Sequence, residues 1–148
     1  MVQRGRKTEG EIAPRGELEA TLLATEPGRR ALVVDDDDET REYLRDLLAL
    51  SGFEVEAAAD AQGARALLAR RLPDVMLIDI MMPRESGTTL LKELRAKSIF
   101  VPAIFVTARS GRMPDTWGRE LAASVVRKPF RAGDLLDAVT RACARVAF

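Results

Sequence analysis

The chain has no histidine and a single cysteine, Cys143, among its 148 residues. Without imidazole the commonest general base and metal ligand at neutral pH is missing. Ser-His-Asp catalysis and histidine-ligated zinc are therefore excluded. One thiol cannot close an internal disulfide, which fits a reducing compartment. There is no excess of either charge: 23 basic and 23 acidic residues sum to a formal net charge of zero. A bulk nucleic-acid binder would carry a strong basic surplus, so none is expected here. No apolar run reaches membrane-spanning length and no signal-peptide core opens the chain, so the expected location is cytoplasmic. What remains for chemistry is carboxylates, hydroxyls, Arg and only four lysines, Lys7, Lys92, Lys97 and Lys128. A lysine at a special position is informative for that reason. At 47 % apolar and 31 % charged, a chain of this length can bury a single-domain core.

Residues 1–30 differ from the rest. Gly, Pro, Arg and Glu alternate with little apolar periodicity, apart from Leu18, Leu22 and Leu23 ahead of Pro27-Gly28. The composition reads as a flexible arm in front of a domain over 31–148. The alternative is an arm that docks through those leucines.

From Ala31 onward strand and helix patterns alternate. Ala31–Val34, Asp74–Asp79 and Ala103–Thr107 are apolar runs of buried-strand length, and Phe53–Ala57 alternates as a half-exposed strand does. Ser124–Arg127 is a short fifth strand. Helical spacing marks 40–51 (Leu44, Leu47, Leu48), 61–71 (Ala61, Ala64, Leu68), 88–96 (Leu90, Leu91, Leu94) and 134–146 (Leu135, Val139, Ala142, Val146). Gly52 is a natural residue to end the first of these. A further helix is due between the last two strands, but Gly111, Pro114 and Gly118 interrupt it. Five strands alternating with five helices predict an α/β fold with a doubly wound five-stranded parallel sheet, flavodoxin-like, and helices on both faces.

In such sheets, ligands sit beyond the carboxyl ends of the strands where strand order reverses. With order 2-1-3-4-5, Asp35 and Asp36 after the first strand, Asp79 after the third, Thr107 after the fourth and Lys128 after the fifth converge on one edge. Three close carboxylates need a counter-charge. Oxygen donors with room for water suit Mg²⁺. Asp37, Asp38 and Glu39 read instead as a helix start, where acids are favoured by the cap and the dipole. Met81 and Met82 read as loop packing.

Val33-Val34-Asp35-Asp36-Asp37, then Leu77-Ile78-Asp79-Ile80-Met81-Met82-Pro83 with Gly87, then Val106-Thr107-Ala108, then Lys128-Pro129-Phe130 resemble the four signatures of the response-regulator receiver domain. Asp36, Asp79, Thr107 and Lys128 are separated by 43, 28 and 21 residues, and the resemblance covers about residues 31 to 147. It implies that Asp79 accepts a phosphoryl group from a histidine kinase or phosphotransfer protein. It also implies that Asp35, Asp36, Asp79 and the backbone carbonyl of Met81 hold Mg²⁺, and that Thr107 and Lys128 contact the phosphoryl oxygens. The family's Lys-Pro peptide is cis. Such a domain switches conformation and partner binding, acts on itself rather than on an external substrate, and is a monomer or weak homodimer.

Two departures bear on output. Val125 stands where the family usually has Tyr or Phe, and the broken segment 109–122, which carries Trp117, replaces a regular helix. The expectation is that this segment itself is the switching element. Two other readings stay open: a receiver-like binding module that is not phosphorylated, and a haloacid-dehalogenase-like phosphatase. The latter would use Asp36 within the D-x-D-x-T run Asp36 to Thr40.

Overall fold

The computed structural model describes residues 28–108 and 120–144. Within them lie five strands, β1 (Arg30–Val34), β2 (Glu54–Ala58), β3 (Val75–Ile78), β4 (Ala103–Thr107) and β5 (Ala123–Arg127). Four helices accompany them among the described residues: α1 (Asp38–Leu50), α2 (Ala61–Arg70), α3 (Gly87–Ala96) and α4 (Ala132–Ala144). The strands form one parallel sheet in the order β2-β1-β3-β4-β5, as expected.

Strands buried on both faces need no polar alternation, and the central three show this. Leu32 and Val34, Met76 and Ile78, and Ala103 and Phe105 pack with α2 and α3. Ala31 and Val33, Val75 and Leu77, and Ile104 and Val106 pack with α1 and α4 on the opposite face. The edge strand β2 is half-exposed. Its Glu54 and Glu56 are paired by Arg30 of β1 at 3.0 and 2.8 Å.

The helix starts are set by side-chain caps that satisfy otherwise unpaired N–H groups. Asp37 accepts from the Thr40 N–H, Asp60 from that of Gly63, and Ser86 from that of Thr89. The acids 37–39 are thus the start of α1, as expected, although α1 begins at Asp38 rather than Thr40. Gly52 follows α1 at φ +99°, the left-handed conformation glycine adopts without strain. The last helix begins two residues earlier than its apolar pattern suggests. Met82 packs against the core as expected, whereas the Met81 side chain is mostly exposed. The short loop after β3 turns only one of the two methionines inward.

Of the arm expected over 1–30, Arg30 already belongs to β1, while residues 1–27, with Leu18, Leu22 and Leu23, lie outside the described residues. So do 109–119 with Trp117, and Val146. Among the described residues no helix is long and apolar enough to cross a membrane.

Candidate functional site

Register places the site. Val34 of β1 pairs with Ile78 of β3, so Asp35 and Asp79, each one residue further on, leave the sheet side by side. The sheet's hydrogen bonding continues through them: the Asp79 N–H donates to the Val34 carbonyl at 2.9 Å, and that of Asp35 to the Ala58 carbonyl at 3.1 Å. At the other side Thr107 pairs with Arg127, and the Lys128 N–H donates to the Thr107 carbonyl at 2.8 Å. The Lys128–Pro129 peptide is cis.

All three expected acids come together. One carboxylate oxygen from each of Asp35, Asp36 and Asp79 lies within 4.8 Å of the others. Asp35 and Asp79 are buried and Asp36 is exposed. Lys128 reaches in from the end of β5, with Nζ 3.0 Å from Asp35 Oδ2 and 3.4 Å from Asp79 Oδ2. Burial pushes the Asp35 carboxyl up from its ordinary range. It outweighs the Asp37 N–H on Oδ1 and the ammonium on Oδ2, and the Asp79 charge adds to the upward shift. For Lys128 the balance goes the other way. Burial pulls its pKa down, but the hydrogen bond and charge of Asp35, with those of Asp79, more than offset this and hold the amine charged.

Thr107 is fully buried at the end of β4. The Met81 N–H donates to Asp79 Oδ1 at 3.2 Å, which fixes the carboxylate's orientation. An open groove beside Asp36 is walled by Ile80, Met81, Met82 and Pro83. The site is therefore reachable from solvent on one side and closed by the sheet on the other. Val125 packs against the core next to Phe105 on β4.

Arg41 is a residue that sequence reasoning did not single out. It donates from Nη1 to the Asp35 carbonyl at 2.8 Å and from Nη2 to Asp38. Its only cue was an Asp three residues earlier on the same helix.

Against this geometry, residues 31–140 match the family model described as the response regulator receiver domain. The chain belongs to that family. Among similar proteins, the transcriptional regulatory protein DltR of Streptococcus agalactiae is 37 % identical over 108 residues, 72 % of this chain and 48 % of DltR. The sensory transduction protein RegX3 of Mycolicibacterium smegmatis is 40 % identical over 106 residues, 71 % of this chain and 46 % of RegX3. The chain thus spans about half the length of these curated relatives. Among solved structures, the chemotaxis protein CheY4 of Vibrio cholerae is 30 % identical at a TM-score of 0.71, covering 78 % of this chain and 98 % of CheY4. Receiver domains of this family are signalling modules of two-component systems. Within the D-x-D-x-T run, Asp38 and Thr40 lie in the first turn of α1, where Asp37 binds Thr40 and Asp38 pairs with Arg41, while Asp36 stands ahead of the cap in the acidic group.

Proposed function

We propose that the domain is the phosphoacceptor of a two-component system and that Asp79 is the residue phosphorylated. The observation that carries this reading is the meeting of Asp35, Asp36 and Asp79 under a single ammonium from Lys128. Three carboxylates against one cation leave two negative charges in excess, the charge of one divalent ion. All donors are oxygens, and one acid faces solvent, a set that suits Mg²⁺. Asp35, Asp36, Asp79 and the Met81 carbonyl would hold it. When bound it offsets the repulsion between a carboxylate nucleophile and an incoming phosphoryl group.

In the transfer, an Asp79 oxygen attacks phosphorus in line. An O–P bond forms as the P–N bond to the donor's phosphohistidine breaks, and the electron pair leaves with the imidazole nitrogen. Asp79 becomes an acyl phosphate. Lys128, already beside Asp79, follows the charge onto a phosphoryl oxygen, and the Thr107 hydroxyl donates to another. Water later cleaves the acyl phosphate and restores the carboxylate. The donor is a histidine kinase or phosphotransfer protein, in a cytoplasmic setting. The output is a change in partner binding by a monomer or weak homodimer, with no nucleic acid bound by this domain. A non-phosphorylated binding module remains the second reading.

The test is incubation of the full chain with acetyl phosphate and MgCl₂, followed by peptide mass mapping. Label on Asp79 supports the phosphoacceptor reading. Label on Asp36 supports phosphatase-type chemistry, and a wild type without label supports the binding module.

A further inference from the structure

Two carboxylates from different elements meet one guanidinium beside the loop that follows Asp79. Arg65 on α2 donates from Nε and Nη2 to the two oxygens of Glu93 on α3, at 3.1 and 2.8 Å, and Nη2 also donates to Glu85 in the β3–α3 loop. Planar two-point pairing of this kind fixes orientation as well as distance. The hydrogen bonds from Arg65, with a smaller share from Lys97, bring the Glu93 carboxyl down to about 2. A second pin lies one residue before Glu85. Arg84 Nη2 is 2.8 Å from Oδ2 of Asp60, the cap of α2, and Arg84 holds φ +69°. The loop is thus tied to α2 at two successive residues.

The loop has no slack at its far end. The Gly87 N–H donates to the Ile80 carbonyl at 2.9 Å. A Cβ on Gly87 would lie 2.2 Å from the Asp79 carbonyl oxygen and 2.7 Å from Cγ2 of Ile78. The first residue of α3 therefore abuts the backbone of Asp79. The start of α3 is thereby coupled to the backbone of Asp79 and Ile80.

We infer that Arg65 is a positioning residue for the phosphoacceptor site. By holding Glu85 and Glu93 together it fixes the β3–α3 loop so that Asp79 and the Met81 carbonyl are preset for a divalent cation. The inference rests on the metal site read in the preceding subsection. Arg65 itself touches neither metal nor phosphoryl group.

Charge and anchorage predict opposite signs, which makes the inference testable. Arg65→Gln removes a positive charge from the neighbourhood of a cation site, and by charge alone Mg²⁺ should then bind more tightly. By loss of anchorage it should bind less tightly, since partners that orient a ligand typically govern metal affinity.

The experiment is calorimetric titration of the full chain with MgCl₂ for wild type, Arg65→Gln, Arg65→Lys, Glu85→Gln and the double variant Arg65→Gln/Glu85→Gln. Arg84→Gln, at an exposed residue, tests the second pin without threatening the fold. Arg65→Gln and Arg84→Gln should each weaken Mg²⁺ binding about tenfold, the low end of what loss of an orienting partner costs. Arg65→Lys should recover part of the loss. The double variant should be no weaker than the weaker single, because both act through one contact. Arg65→Gln and Arg84→Gln binding as tightly as wild type, or more tightly, would overturn the inference while leaving the metal site intact. A wild type that does not bind Mg²⁺ would overturn the metal site and the inference with it.

Discussion

The ammonium of Lys128 lies 3.0 Å from Oδ2 of Asp35, a carboxylate with 1 % of its surface exposed. These residues are 93 positions apart in the chain, and the strand order alone brings them together. Removing the lysine leaves a buried negative charge without its partner. Lys128→Met should destabilise the metal-free protein by about 2–3 kcal/mol at neutral pH, somewhat less than for a fully buried pair because the lysine keeps some contact with water.

The pH dependence of that loss follows from Asp35. Its folded-state pKa is raised, so the stability it contributes is fully present below 3.8 and is lost as pH rises through the folded value. Protonation therefore relieves the burden in acid. The gap between wild type and Lys128→Met in urea denaturation should narrow as pH falls from 7 toward 4. A gap that stays constant over this range would contradict the pairing. Lys128 itself, with its pKa raised, contributes stability present below 10.5 and lost only as pH rises through its higher folded value.

Asp36 is the exposed member of the acidic group, and no hydrogen bond from another described residue holds its side chain in place. Asp36→Ala should leave the metal-free protein unchanged or more stable by up to about 1 kcal/mol, since one like charge is removed. It should also abolish the Mg²⁺-induced rise in melting temperature. Thermal denaturation with and without MgCl₂ checks both. A wild-type shift in the variant would place the metal elsewhere.

Much of this arrangement was legible in the sequence, for physical reasons. Strands buried on both faces write themselves as unbroken apolar runs, so a charge directly after one, such as Asp35 or Asp79, stands out at a sheet edge. Lys128 stood out because lysine is rare here and Pro follows it. The caps are partly readable: Asp37 stands in an acidic run ahead of a helical pattern, whereas Ser86, in the same role for α3, sits in a loop of mixed character that gives it no such context. Arg65, Glu85 and Glu93 left no trace, because an ion pair across 28 residues has neither periodicity nor a motif. Met81 illustrates the limit of composition: its apolar side chain suggested packing, but the turn directs it to solvent.

Gly87 tests how tightly the end of β3 is packed. Gly87→Ala would place a methyl group 2.2 Å from the Asp79 carbonyl oxygen, and backbone must move to admit it. The expected cost is about 1–3 kcal/mol in chemical denaturation, with slower phosphorylation from acetyl phosphate. Unchanged stability and rate would show that α3 and Asp79 move independently.

Ser98 follows the end of α3 at φ +62°, with its N–H on the Arg95 carbonyl at 3.0 Å. A serine is strained there and a glycine is not. Ser98→Gly should stabilise the domain by about 0.5–1 kcal/mol, the relief of strain exceeding the added freedom of the unfolded chain. Equilibrium urea denaturation checks the sign, and phosphorylation should be unaffected.

The proposed phosphoryl transfer needs both Asp79 and a divalent ion. Its most direct test is intact mass after incubation with phosphoramidate, for wild type and Asp79→Asn, each with MgCl₂ or with EDTA. One added phosphoryl group on the wild type with MgCl₂, lost in EDTA and absent from Asp79→Asn, is the predicted result. Equal labelling of Asp79→Asn, or equal labelling of wild type in EDTA, would contradict it.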